Sequence, residues 1–189
     1  AASTYAGITD IAELGSTAAI AGRFASEQPS GVETTFAEPN GPPVFSPGES
    51  AKTTINVTNP MSSRYLSYAS MVVPSNDLFV GNDNALEVFD AAGNFVGPIT
   101  IDIYGSNVWD NGSEVNDIMD GPAFVMGQDA TAGTDENALV RAFFSDGADT
   151  AYINSIIGVI TAPGTEITQG FDDATLLGRI TITPTPGTA

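Results

Sequence analysis

Ser67–Glu114 reads SYASMVVPSNDLFVGNDNALEVFDAAGNFVGPITIDIYGSNVWDNGSE, and this stretch decides the fold. Tyr68–Val73 is a short apolar run of strand type, closed by Pro74. Ser75-Asn76-Asp77 supplies turn formers and a carboxylate, and Leu78-Phe79-Val80 resumes the apolar register before Gly81. A second strand is predicted over 85–89, ending in Asp90-Ala91-Ala92-Gly93. A third spans 99–104. Ile99, Ile101 and Ile103 fall on one face, with Thr100, Asp102 and Tyr104 on the other. The loop Trp109–Glu114 is dense in oxygen ligands. Two acidic loops flanking an antiparallel meander suit a calcium site, because Ca²⁺ takes six to eight oxygens from carboxylates, carbonyls and water.

Working outward, 50–58 reads as a strand, turned at Asn59–Ser63, with 65–73 returning beside it. On the other side, 118–135 is Gly-rich and aperiodic, so a long loop is expected. The apolar runs 139–144 and 152–160 suit buried strands, separated by a turn at 145–149. Residues 172–177 suit one helical turn. Arg179–Thr183 reads as a last strand, and Pro184 and Pro186 make the end an extended tail. Near the start, 8–24 is helical in pattern, with Thr9 or Asp10 as cap and Gly15 as a break. Pro and Gly dominate 25–48, a long loop with a candidate strand at 32–36. The expected architecture is all-β: one antiparallel β-sandwich domain over 1–189 with a short helical insert near the N-terminus. Its parts are 1–48 (helical insert and loop), 49–183 (strands) and 184–189 (tail).

Composition excludes several functions. The formal net charge is −18, with five Lys and Arg against 23 Asp and Glu. Nucleic acid and anionic lipid bind through basic patches, so neither is an expected partner. Divalent cations or a salty medium are favoured instead. No run approaches the roughly 20 apolar residues of a membrane-spanning helix, so membrane insertion is not expected. The chain has no Cys and no His, which removes disulfides, thiolate chemistry and the commonest general base. An enzyme would need a carboxylate pair, whose spacing sequence does not show, or a Ser-Lys type, and Lys52 lies near no Ser motif. The expectation is a protein that is not an enzyme.

VPSNDLFVG, the LEVFD strand-turn and WDNGSEVND, in that order, resemble the spondin domain. This is the amino-terminal module type of F-spondin and mindin, with secreted bacterial relatives. The resemblance covers half to three quarters of the chain. It implies a C2-like sandwich, an extracellular setting, adhesion to matrix or to a surface glycan or protein, and Ca²⁺ held in loops at one end. By position, Asp77 and Asp110 match two acidic ligands of the family. The third family ligand lies on the strand before the VPS turn, where this chain offers Asn56 and Asn59 and no acid. Glu114 is close enough in sequence to compensate, so the expected ligand set is Asp77, Asp110, Glu114 and Asn59. The competing reading makes Asp77 a turn cap and Asp110 a solvated loop acid.

Three weaker patterns complete the survey. Asp90–Asn94 resembles part of a calcium loop but lacks the closing Glu of an EF-hand, so a solvated turn is the better reading. Asn56-Val57-Thr58 and Asn111-Gly112-Ser113 match the N-glycosylation sequon. Trp109, Tyr104, Tyr65 and Tyr68 read as a sugar platform or, more simply, as edge packing. The family domain opens with a strand before its helical insert, and only Ala1–Ala6 precede the helix here. A vacant strand position would accept 4–6 or 181–188 from another molecule, giving a homopolymer by terminal strand exchange.

Overall fold

Residues 7–36 and 44–185 are described by a computed structural model of the chain. Helices α1 (Ile8–Leu14) and α2 (Ala18–Glu27) form where the apolar spacing predicts them. Gly15 separates them. It adopts φ 63°, a left-handed conformation that glycine tolerates best, and its N–H caps the Ile11 carbonyl. α1 buries Ile11 and Ala12 against strands β2 and β3 described below, whereas α2 buries no residue fully.

Among the described residues eight short antiparallel strands follow. A four-stranded sheet has the order β2 (Ala69–Met71), β3 (Leu78–Gly81), β6 (Val108–Asp110), β7 (Arg141–Ala142). β1 (Tyr65–Leu66) pairs with β4 (Leu86–Glu87), and β5 (Ile99–Tyr104) pairs with β8 (Leu176–Ile182). The alternation read in 99–104 is kept: Ile101 opposes Ile180 and Ile99 opposes Ile182, while Asp102 opposes Arg179 and the two ion-pair. One buried cluster gathers Leu78, Val80 and Val108 from the four-stranded sheet with Ile103 of β5, Ile118 and Phe143. Tyr152, Ile153 and Ile156 complete it. The protein is therefore β-rich and antiparallel, with three α-helices among the described residues.

The largest correction concerns 152–160, expected as a buried strand. Gly147–Ser155 is a helix, α3, that buries Tyr152 and Ile153. Its start is a capping box: the Asp146 side chain accepts from Ala148 N at 2.9 Å, and Asp149 reaches back to Asp146 N at 3.0 Å. The stretch 145–149, read as a turn, is thus the start of a helix. Five expected strands shrink, split or vanish, among them 65–73, which survives only as β1 and β2 on two different sheets. Residues 50–58 and 32–36 form no ladder and are largely exposed, 139–144 keeps only β7, and 85–89 keeps β4 plus a bridge from Phe89 to Phe95. Alternation in 50–58 and apolar runs elsewhere predicted these strands, but a strand also needs a neighbour to satisfy its backbone groups. Residues 172–177 form a turn that leads into β8, not a helical turn. The terminal segments 1–6 and 186–189, and with them part of the expected strand exchange, lie outside the described residues.

Candidate functional site

The VPSND turn is tied by its own side chains. Ser75 Oγ donates to the Val72 carbonyl and accepts from Leu78 N at 3.1 Å, which sends the chain directly from the turn into β3. Asn76 is fully buried, and its Nδ2 donates to the Asp120 carbonyl at 2.7 Å. Asn76 Oδ1 accepts from Asp117 N at 3.1 Å and from the Tyr152 hydroxyl at 3.2 Å, joining the turn to α3. Asp77 comes next, with no exposed surface. Its Oδ2 accepts three hydrogen bonds from the second acidic loop: Ser113 N at 2.7 Å, Ser113 Oγ at 3.1 Å and Glu114 N at 3.1 Å.

Strand register sets Asp110. On β6 it lies opposite Leu78 on one side and Arg141 on the other. Its Oδ1 accepts from Gly112 N at 2.8 Å. Its Oδ2 accepts from Asn116 Nδ2 at 2.8 Å and from Arg141 Nη2 at 2.7 Å. Arg141 also grips both carboxylate oxygens of Asp149, at 2.7 and 2.8 Å. One guanidinium therefore neutralises two buried acids and fastens the loop to the first turn of α3. Gly112 makes the loop possible: it has φ 67°, and a Cβ there would sit 2.9 Å from backbone atoms of Ala138 and Leu139.

Three of the four expected ligands thus meet at one end of the sheet, namely Asp77, Asp110 and Glu114. Asn59 does not join them. It is exposed in the 59–63 turn, where its carbonyl accepts from Ser62 N and Ser63 N. The acids that do meet are unequal. Asp110 is paired with Arg141. Asp77 has no ion-pair partner among the described residues, and burial followed by the nearby Asp110 charge pushes its carboxyl up to about 6. Glu114, 8% exposed, is pushed up to about 7 by burial and then by Glu13 and Asp77. Gly133 leaves the room that the Glu114 carboxylate fills, since a Cβ there would land on it.

The chemistry of the acceptors tests whether this end suits a metal. Among the described residues no three His, Cys, Asp or Glu side chains are placed to hold a metal ion together. Three buried oxygens nonetheless lack any donor: Asp77 Oδ1, Asn111 Oδ1 and Asn116 Oδ1. The two amides are fixed the other way round. Asn111 Nδ2 donates to Thr9 Oγ1 at 3.1 Å and Ser113 Oγ at 2.9 Å, and Asn116 Nδ2 is bound to Asp110. Such oxygens can only accept, and leaving them buried and unpaired is costly. An all-oxygen set of one carboxylate and two amides is chemically suited to Ca²⁺.

Sequence reasoning missed Arg141, Asn116 and Asp149. A lone Arg inside the apolar run LVRAFF was the available signal, because a charge on an otherwise buried strand needs an acid to pair with. Asn111 is fully buried with its amide nitrogen engaged, so its sequon is closed in the folded protein. Asn56, on the expected strand 50–58, is exposed and lies in no ladder. Asp90 satisfies its own loop by accepting from Ala92 N, Asn94 N and Asn94 Nδ2, and these bonds hold its carboxyl below the usual range. Trp109, Tyr104 and Tyr65 lie on three different sheets.

No curated protein and no solved structure matches the chain. A family model does: the one described as Spondin_N covers residues 1–152, which include both acidic loops, β7 and the first two thirds of α3. On that match the chain belongs to the spondin amino-terminal domain family.

Proposed function

We propose that this chain is a secreted, non-enzymatic module of adhesion or matrix type that binds Ca²⁺ at the Asp77 end of its four-stranded sheet, within a C2-like sandwich. The family carries the extracellular and adhesive part of the reading. Packing of Leu78, Val80 and Val108 against Ile103 and Ile180 is consistent with two sheets face to face. One observation carries the metal: the fully buried Asp77 leaves Oδ1 without a donor, while Asn111 and Asn116 leave two amide oxygens in the same condition. Ca²⁺ supplies the positive charge that Asp77 and Glu114 lack, as Arg141 supplies it for Asp110. The partner is a matrix or cell-surface glycan or protein.

Calorimetric titration of chelator-stripped protein with CaCl₂ tests the metal. Saturable binding of one ion, abolished in Asp77→Asn, is expected. Absence of heat and of any thermal shift at millimolar Ca²⁺ sinks the assignment.

A second reading rests on β5 and β8. They form a two-stranded sheet, so each keeps one edge with no partner strand among the described residues. Such an edge is a template for a strand from another copy. The fibre-forming homopolymer it implies is tested by light scattering of the full chain and of chains lacking 1–6 or 184–189. Equal assembly of all three, or none at all, excludes donation by the termini.

A further inference from the structure

Beside the VPSND turn, whose Asn76 is bonded to both Asp117 and Asp120, lies a groove of about 260 Å³ whose lining is mostly apolar. Ile118 is buried at its floor, and Val125 and Val159 pack against the same core. Its walls face solvent: Met119 is 75% exposed, Met126 59% and Ile160 43%. The walls are held by backbone pairing, with Met126 N donating to the Ile160 carbonyl at 2.9 Å and a bridge from Val125 to Thr161. Two of the four methionines of the chain therefore sit, exposed, on one groove that opens onto the core. Methionine is unbranched and polarisable, and it adapts to varied apolar partners.

The charge around the groove is of one sign. Asp117 starts the turn that carries Met119, and accepts from Met119 N at 2.9 Å. Asp120 follows in that turn, Asp129 follows Gln128 on the groove wall, and Glu166 bridges to Ile160. No Lys or Arg occurs between Glu114 and Val140, or between Ala142 and Gly178. Such a rim repels a second copy of this chain, whose net charge is −18.

We propose that this groove docks a basic amphipathic segment of a partner protein. One or two apolar side chains enter between Met119, Met126 and Ile160, and Lys or Arg beside them meets Asp117, Asp120, Asp129 and Glu166. The volume suits no more than that number of anchors. The proposal does not require Ca²⁺ at Asp77, because it rests on exposed apolar walls and one-signed charge, although Asp120 of the rim also raises the Glu114 carboxyl.

The probe is a synthetic peptide of about 15 residues made of Leu and Lys, with Leu spaced along one helical face. Its controls are a Leu/Glu peptide with the same face and a Leu/Lys peptide with the face scrambled. Methyl-labelled methionine signals of the full chain are followed by NMR during titration. Saturable shifts of Met119 and Met126, with Met61 and Met71 unmoved, are expected. The double variant Met119→Ser, Met126→Ser should weaken binding at least tenfold. Asp117→Asn with Asp129→Asn should flatten its salt dependence, because screening acts on those charges. Wall methionines this exposed are removable without loss of the fold, and an unchanged melting curve checks it. Equal binding of the scrambled peptide with all four methionines moving together would mean a general polyanion effect and overturn the proposal. So would binding of the Leu/Glu peptide, or a groove covered by a second copy in solution.

Discussion

Arg141 stands directly opposite Asp110 across the β6–β7 ladder and donates to its Oδ2 at 2.7 Å. The same guanidinium holds both oxygens of Asp149. Cross-strand register, a helix start and the second acidic loop thus converge on one side chain. Asp149 shows the balance: burial, the largest single cause, raises its carboxyl, but the Arg141 hydrogen bonds and charge together with backbone hydrogen bonds from the 144–146 turn outweigh it and leave it below the ordinary value. The same pairing raises the Arg141 guanidinium above its already high range.

Arg141→Met should therefore destabilise the protein by about 3 kcal/mol, since it leaves a fully buried Asp110 uncompensated. The partial exposure of Arg141 keeps the loss from being larger. Urea unfolding measures it. Adding Asp110→Asn to that variant should recover part of the loss, as coupled neighbours do in a double-mutant cycle. The exposed pair Arg179–Asp102 is the control. Arg179→Ala should leave the unfolding midpoint close to wild type, because solvent screens that pair.

The acids without a cation set the response to pH. Asp77 at about 6 and Glu114 at about 7 both lie above their ordinary values of 3.8 and 4.5. Between these limits the folded state holds more protons than the unfolded state, so stability falls as pH rises. Chelator-stripped protein should be more stable near pH 5 than above pH 7, by denaturant midpoint. The acidic surface adds a general slope of the same sign. Asp77→Asn isolates the local part and should flatten the profile, while millimolar Ca²⁺ should flatten it in wild type. Parallel profiles for wild type and variant would show that Asp77 is not responsible.

Asp146→Ala should cost about 1 kcal/mol by removing the N-cap of α3. It also loosens the helix that carries Asp149 to Arg141 and Tyr152 to Asn76. Amide exchange should therefore rise in the VPSND turn as well as in α3. Exchange confined to α3 would show that the helix and the turn are uncoupled.

Much of this was legible beforehand. The strand alternation of 99–104 and the Gly15 break followed from spacing and turn formers, and the two acidic loops stood out through their resemblance to the spondin motifs. Helix α3 was hidden because Tyr152–Ile160 is apolar and β-branched, which favours a strand, while its capping box sat in a segment that reads equally well as a turn. Asn59 was placed by analogy on a strand that does not form here, and an exposed turn cannot supply a buried ligand. Arg141 was missed because ion pairing across a sheet depends on register, and register is set by partners remote in sequence. The orphaned oxygens of Asn111 and Asn116 were illegible for a related reason: which end of an amide is satisfied depends on neighbours such as Thr9, far away in the chain.

Gly133 offers the sharpest test of how Glu114 is held. The glycine lies against the Glu114 carboxylate, and a methyl group at its Cβ position would overlap both carboxylate oxygens. Its backbone is outside the left-handed region, so alanine brings no conformational strain of its own. Only the collision remains. Gly133→Ala should push Glu114 from its buried position toward water; because the displaced atoms are the mobile end of a side chain, the cost should be about 1 kcal/mol, the low end of overpacking. Released from burial, which is the largest cause of its raised value, Glu114 should titrate closer to an ordinary glutamate. Carboxyl-carbon NMR across pH 4 to 8 would follow that group directly. If Glu114 supports Ca²⁺ beside Asp77, the variant also binds the ion more weakly. If it only fills space, affinity is kept while stability falls. An unchanged Glu114 titration in a fully folded Gly133→Ala protein would show that the carboxylate does not occupy the space beside Gly133.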